Sequence, residues 1–247
     1  MLPQTNLQLY QVLLEQQRPA TELKAVRTAY DIARDLFGDS FRPSHKPFVS
    51  HLIGTAGALA VWRQSTPLVV AGLLHSAYLY GFYDDGRRGM AASRRRWLRE
   101  QIGPEAELLV AEYTVSRWNR PTASLLAGLD QPRQKQLLVI KLADTLDEFA
   151  DGGTAYSAEK QLPFAATHQP MARRTILELC RAVLGDEAAR QFTEVFSLTD
   201  RLNPPAELKS EDKSFHRVQM GIDSLRKPRW VQPAIRVMEK WRHRGAA

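Results

Sequence analysis

The amino-acid sequence predicts an all-α fold. Apolar residues recur at helical spacing along most of the chain, first in the segment 7–14 and again in 23–37. No segment shows the alternation of apolar and polar residues that is typical of a half-buried strand. Glycine and proline fall between the periodic segments, where they end one helix and precede the next. Together these observations indicate a helical bundle.

The predicted helices can be placed in order along the chain. The first two occupy 7–14 and 23–37, and the loop GDSFRPSHKPF separates them from a third, which begins near Val49 and ends around 63–65. Pro67 opens a buried helix, PLVVAGLLHSAYLY, because proline is well suited to a first helical turn. Further helices are predicted in SRRRWLREQI, PEAELLVAEYTVSRW, RQKQLLVIKLADTLDEFA, 171–184, 186–198, 213–226 and 230–242.

A long irregular connection is predicted at 151–170, and it divides the chain into two parts of unequal size. We expect residues 1–155 to form the main helical domain and residues 156–247 to form a helical extension packed on the same core. The connection could be a lid over a pocket or a surface loop. The aromatic segment RWVQPAIRVMEKW near the C-terminus could pack back on the bundle or form a homodimer interface, and we favour packing.

Composition and charge narrow the class of protein. The formal net charge of +7 favours phosphate-bearing ligands and also permits weak nonspecific binding of nucleic acid, so charge alone does not choose between them. The sequence contains no zinc-ligand spacing, aromatic RNA-binding motif or DNA-reading helix, and this makes a nucleic-acid partner the less favoured choice. The arginine-rich run GRRGMAASRRRWLRE is expected to be a solvated helix face, with a surface for an anionic ligand or partner as the second interpretation and nucleic acid as the third. The single cysteine, Cys180, cannot form an internal disulfide, and the N-terminal segment lacks the pattern of a secretory signal. We therefore expect a cytoplasmic protein, without a membrane partner because no apolar stretch has the length of a membrane helix.

Three segments on separate predicted helices each contain a residue of a type that can bind a metal. His51 lies in FRPSHKPFVSHLIGTA, His75 in VAGLLHSAYLYG and Asp144 in LLVIKLADTLDEFAD. Imidazole and carboxylate groups that converge from separate helices can bind Mn, Fe or Zn, which polarises a phosphoryl oxygen and acidifies a bound water. The competing interpretation is that each histidine is a hydrogen-bonded core residue.

In their order and spacing, the three segments resemble the HD-domain superfamily, and most specifically the hydrolase domain of the RelA/SpoT-type alarmone enzymes. The resemblance covers roughly residues 25–152. It implies an HD-domain-like helical bundle in which His51, His75 and Asp144 are metal ligands. Arg42 matches the basic loop of that family, and Arg42, Lys46 and Lys141 are the expected contacts of a small anionic substrate or nucleotide.

The chain departs from the alarmone hydrolases at several site positions. Ser76 stands in place of the aspartate of the His-Asp doublet, and its neutral hydroxyl is a poor metal ligand. Leu79 and Tyr80 replace the acidic pair that activates the attacking water, and Glu148 replaces an asparagine. The segment AGLLHSAYLYG more closely resembles a group of HD-like proteins in which His-Ser followed by Tyr replaces the doublet, and this resemblance implies a fold and a pocket without a reaction.

Other polar residues lie close to these motifs in the sequence. Tyr78 follows His75 by three positions and should share its helical face, so Ser76 and Tyr78 are the candidate catalytic polar groups of the pocket. Asp147 and Glu148 are expected to be exposed helix charges.

The leading hypothesis from the sequence is a divergent HD-like metal-binding enzyme acting on a small phosphorylated or otherwise anionic substrate, such as a phosphohydrolase. One alternative is a catalytically inactive HD-like protein that binds a nucleotide or a partner protein. Another is a non-hydrolytic enzyme of specialised metabolism that uses the same pocket. Metal content separates the leading hypothesis from the inactive protein.

Overall fold

A computed structural model of the chain describes residues 2–83, 87–118, 120–156, 172–209 and 216–217. This part is all-α, as the sequence predicts. The helices span Asn6–Glu15 (α1), Ala20–Phe37 (α2), Phe48–Val61 (α3), Thr66–Leu74 (α4), Ala77–Tyr80 (α5), Ala92–Ile102 (α6), Pro104–Val115 (α7), Thr122–Ala127 (α8), Pro132–Ala150 (α9), Gly153–Tyr156 (α10), Arg173–Leu184 (α11) and Asp186–Arg201 (α12). None of these helices combines the length and the apolar character that a membrane crossing requires.

Helix α3 lies at the centre of the bundle. It packs against α1, α2, α4 and α9, and every residue from 51 to 60 is buried. A helix that is buried on all sides needs small residues wherever a neighbour approaches closely. At Gly72 of α4, an added Cβ atom would lie 2.6 Å from a methyl carbon of Leu59, so glycine allows α4 to pack tightly against α3. His51 of α3 is thereby placed inside the core.

The buried segment predicted as one helix is interrupted at His75, so that part of the prediction is wrong. Helix α4 ends at Leu74 and α5 begins at Ala77. His75 Nδ1 bonds the carbonyl oxygen of Gly72 at 2.8 Å, and this oxygen is the acceptor that the Ser76 N–H would use in a continuing helix. The side chain of His75 thus competes with the backbone where the helix ends.

A short strand pair is a second departure from the predicted elements. Ser40–Phe41 (β1) pairs antiparallel with His216–Arg217 (β2). Strand β1 lies in the loop predicted after α2, and β2 lies in the helix predicted at 213–226. The helical prediction is therefore wrong at 216–217, because these two residues pair with a distant part of the chain. The rest of that helix, the predicted helix 230–242 with the aromatic segment, and most of the connection 151–170 lie outside the described residues.

The C-terminal helices pack on the same bundle as the N-terminal ones. Both α11 and α12 contact α9, and the rings of Phe149 and Phe196 lie 4.8 Å apart, edge to face. Trp62, directly after α3, donates its indole N–H to Gln191 of α12 at 2.9 Å. These contacts join the parts before and after residue 155. The boundary at that residue stays a prediction.

Candidate metal centre

Three helices bring the candidate ligands together. His51 lies in α3, His75 directly follows α4, and Asp144 lies in the C-terminal half of α9. One ligand atom from each residue lies within 4.8 Å of the other two. His51 Nε2 is 3.2 Å and His75 Nε2 is 3.6 Å from Asp144 Oδ1, and all three side chains are buried. The group could hold a metal ion.

Hydrogen bonds at Nδ1 orient both imidazoles toward Asp144. Because the carbonyl oxygen of Gly72 can only accept, we assign the hydrogen of His75 to Nδ1 and its lone pair to Nε2. His51 Nδ1 lies 2.8 Å from Asp147 Oδ2, which accepts in the same way. Among the described residues, the buried Nε2 atom of His51 has no hydrogen-bond partner. Two nitrogen lone pairs and a carboxylate oxygen therefore face one another, an arrangement that a bound cation stabilises.

The second oxygen of Asp144 is held by two donors. The Tyr113 hydroxyl and Lys141 Nζ each donate to Asp144 Oδ2 at 2.8 Å. Burial opposes ionisation of Asp144, but the adjacent Lys141 ammonium holds the pKa of this carboxyl well below its usual value. The carboxylate is thus ionised, with Oδ1 directed at the imidazoles. Tyr113 was not selected from the sequence, because nothing in its local pattern distinguishes it from a core tyrosine.

Burial also favours the metal-binding form of His75. It lowers the pKa of this imidazole to about 4, and the nearby charge of Asp144 offsets only part of that effect. His75 is therefore neutral near pH 7, and a neutral imidazole is the form that binds metals.

Asp147 is a site residue that the sequence interpretation missed. The prediction of an exposed charge is wrong, because Asp147 is fully buried and lies one helical turn after Asp144, on the face that α9 presents to α3. Its carboxylate accepts from His51 at 2.8 Å, from Lys46 Nζ at 2.9 Å and from Gln4 Nε2 at 3.1 Å. Burial opposes its ionisation, but His51 and Lys46 lower the pKa of Asp147 below its usual value. The spacing of three from Asp144 was the available signal.

Each predicted substrate-binding cation is paired with a carboxylate of α9 or its C-terminal end. The pairs are Arg42 with Glu148 at 2.6 Å, Lys46 with Asp147 at 2.9 Å and with Asp151 at 3.0 Å, and Lys141 with Asp144 at 2.8 Å. Half-buried Glu148 is thus not the freely exposed charge that was expected. These cations neutralise the carboxylates around the site, which weakens their attraction for an anionic substrate.

The two predicted catalytic polar groups, Ser76 and Tyr78, are both buried near the interruption of the helix. Tyr78 is buried, and its hydroxyl donates to Glu107 at 2.9 Å. The expectation that Tyr78 shares a helical face with His75 is wrong, because the helix is interrupted between the two residues. Ser76 is buried beside His75, and its carbonyl oxygen accepts the first backbone hydrogen bonds of α5. The tyrosine hydroxyl that contacts Asp144 is that of Tyr113, not that of Tyr78.

Comparison with known proteins adds a partial match. A family model described as a domain of unknown function (DUF6817) matches residues 34–117, about a third of the chain. The matched range contains His51, His75 and Tyr113, and it ends before α9 with Asp144. No curated protein matches the chain.

Proposed function

We propose that this protein binds a divalent transition metal through His51, His75 and Asp144, and that it is a divergent HD-like enzyme acting on a small phosphorylated or otherwise anionic substrate. The observation that carries the proposal is the convergence of two histidine lone pairs on Asp144 Oδ1, at 3.2 and 3.6 Å. Two imidazole nitrogens and a carboxylate oxygen form a donor set suited to manganese, iron or zinc.

The surrounding residues would orient these ligands. Asp147 and the Gly72 carbonyl hold the two imidazoles through Nδ1, and Tyr113 and Lys141 hold Asp144 through Oδ2. A bound metal supplies a Lewis acid and an acidified water at such a site. Three protein ligands leave positions for that water and for a substrate oxygen.

The positions of Ser76, Leu79 and Tyr80 bear on the reaction. Each is occupied by an uncharged residue, so the helix region around His75 adds no carboxylate to activate a water. In a phosphohydrolase of this kind, deprotonation of the attacking water would depend on the metal. Hydrolysis of simple phosphate esters by the metal-loaded protein is therefore the first activity to test.

One observation favours a second candidate, a catalytically inactive HD-like protein that binds a nucleotide or a partner protein. Arg42, Lys46 and Lys141 are already paired with carboxylates, so they offer little free positive charge to a phosphate. Such a protein could still hold the metal as a structural ion. Metal binding without turnover of any phosphate ester would support this candidate.

The test is the metal content of purified protein after equilibration with manganese, iron or zinc and removal of excess ion. We expect about one bound ion per chain in the wild type, because the described residues contain one such three-ligand group. His75→Ala and Asp144→Ala should lose it. Matched controls are His45→Asn and Asp130→Ala, which change exposed residues of the same types and should retain the metal.

Circular dichroism of each variant would show that its helices remain folded. The proposal is wrong if the wild type holds no metal under any loading condition, or if the two ligand variants retain as much metal as the controls.

A further inference from the structure

The two ring nitrogens of His51 face two different carboxylates. Nε2 faces Asp144 Oδ1 at 3.2 Å, and Nδ1 faces Asp147 Oδ2 at 2.8 Å. Both His51 and Asp147 are fully buried, so water does not compete for the contact between them. The hydrogen bond at Nδ1 determines whether the lone pair of His51 is available at Nε2.

We propose that Asp147 is a positioning residue, which fixes His51 in the tautomer that offers Nε2 to the metal, and that the N-terminal segment 2–5 in turn holds Asp147. The inference rests on the proposed metal site, and it extends that site to a part of the chain that carries no ligand. Metal affinity should then depend on how this segment docks.

Asp147 is held from two sides. Lys46 Nζ lies 2.9 Å from both carboxylate oxygens and compensates the buried charge. Gln4 donates its side-chain amide to Oδ1 at 3.1 Å, which leaves Oδ2 directed at His51. A carboxylate with a donor on each oxygen has little freedom to rotate away from the imidazole.

The N-terminal segment is itself fixed against α3. The space beside Gly57 is filled by the ring of Pro3, since an added Cβ atom there would lie 2.8 Å from it. The backbone N–H of Gln4 donates to the side chain of Gln8, which also takes part in the capping box that begins α1 with Thr5. The position of the Gln4 side chain is thus set by the start of α1 and by the packing of Pro3 against Gly57 of α3.

The first arm of the test measures the tautomer of His51 in metal-free protein. Long-range proton–nitrogen NMR, recorded where the spectrum itself shows a neutral ring, should show His51 with its hydrogen on Nδ1. Comparison with His51→Gln assigns the signal. Asp147→Ala should produce a mixture of tautomers. Asp151→Asn is the matched control, because Asp151 also pairs with Lys46 but does not contact His51, and it should leave the tautomer unchanged.

The second arm measures the affinity for zinc by competition with a chelator. We expect Asp147→Ala to weaken zinc binding by about 10- to 100-fold, as is typical when the hydrogen-bond partner of a ligating histidine is removed. Gln4→Ala should weaken it by about 2- to 10-fold, because Asp147 loses one of the donors that hold it while Lys46 remains. The control Gln11→Ala removes an exposed contact to Glu15 of α1 and should have no effect.

The outcomes separate the inference from the proposed function. Wild-type zinc binding that is unaffected in folded Asp147→Ala and Gln4→Ala would overturn the inference and leave the metal site standing. So would a hydrogen on Nε2 of His51 in the wild type. Absence of zinc binding in the wild type would overturn the proposed function, and the tautomer comparison would then decide the role of Asp147 by itself. If Asp147→Ala does not fold, Gln4→Ala and the wild-type spectrum provide the same decision.

Discussion

Glu107 of α7 is a fully buried carboxylate that joins residues from two separate sequence motifs. Arg95 of α6 binds it through two nitrogens at 2.7 and 3.1 Å, Arg99 binds it at 3.1 Å, and the Tyr78 hydroxyl donates to it at 2.9 Å. Part of the arginine run that was expected to be a solvated face is therefore anchored in the bundle. Burial opposes ionisation of Glu107, but Arg95, Tyr78 and Arg99 lower its pKa below the usual value.

We expect Glu107→Gln to reduce the free energy of unfolding by about 1–3 kcal/mol near neutral pH, because the arginines lose a charged acceptor. The pKa of Glu107 is lower in the folded than in the unfolded state, so its ionised form contributes stability that is present above the ordinary value of 4.5. That contribution is lost as the pH falls through the folded-state pKa. The difference between wild type and variant should therefore shrink below pH 4.5, as measured by urea unfolding over a pH series.

The control for this prediction is Glu112→Gln on the same helix. Glu112 pairs with Arg133 at 3.4 Å, and both side chains are about one-third exposed, so the change should cost less than about 1 kcal/mol. A stability difference at Glu107 that stays constant or grows as the pH falls would contradict the assigned role.

At the level of secondary-structure elements, the candidate site depends on the close packing of α3 against α9. Gly54 of α3 lies where the Asp147 carboxylate of α9 enters, and an added Cβ atom would overlap that carboxylate. Glycine is therefore needed for packing at this position, although it disfavours a helix interior by about 1 kcal/mol relative to alanine. The glycine of one helix and the aspartate of the other form one contact.

Gly54→Ala should lower the free energy of unfolding by about 1–3 kcal/mol through overpacking, despite its better helix propensity. It should also weaken metal binding, because the displaced Asp147 no longer orients His51. Gly128→Ala is the control, since Gly128 has a helical backbone and an added Cβ atom would have no neighbour closer than 3.9 Å. That control should be neutral or stabilising by up to about 1 kcal/mol in urea or thermal unfolding. Equal stability of Gly54→Ala and wild type would refute the packing argument.

At the level of the described molecule, the C-terminal helices α11 and α12 both pack against α9, the helix that carries Asp144. Phe192 and Phe196 of α12 are buried, and Phe196 packs on Phe149, five residues after Asp144. Cys180 of α11 is also fully buried. These contacts lead us to expect that the described C-terminal helices unfold together with the rest of the bundle.

Cys180 provides a direct measurement of that cooperativity, because it is the only cysteine in the chain. Burial raises the pKa of its thiol to about 12, so the native protein should react very slowly with a thiol reagent. We expect protection to be lost over the same range of urea concentration in which the helical circular dichroism is lost. Labelling of Cys180 at clearly lower urea concentrations would instead show that the C-terminal helices unfold as a separate unit.

Much of this architecture could be predicted from the sequence alone. Helical periodicity and the positions of glycine and proline predicted the all-α class and most helices, since both depend on the local chain. The three motifs also selected His51, His75 and Asp144, which the fold brings together. Metal binding and enzymatic activity stay predictions.

Only the tertiary structure decided which side chains meet across helices. Periodicity assigns a residue to one face of its own helix, but the partner depends on packing against segments remote in sequence. The hydrogen bonds of Asp147 with His51, of Tyr113 with Asp144 and of Tyr78 with Glu107 all join different helices in this way. The interruption at His75 is instead a local effect. His75 Nδ1 bonds the carbonyl oxygen of Gly72, three residues earlier, which a continuous helix would use as a backbone acceptor.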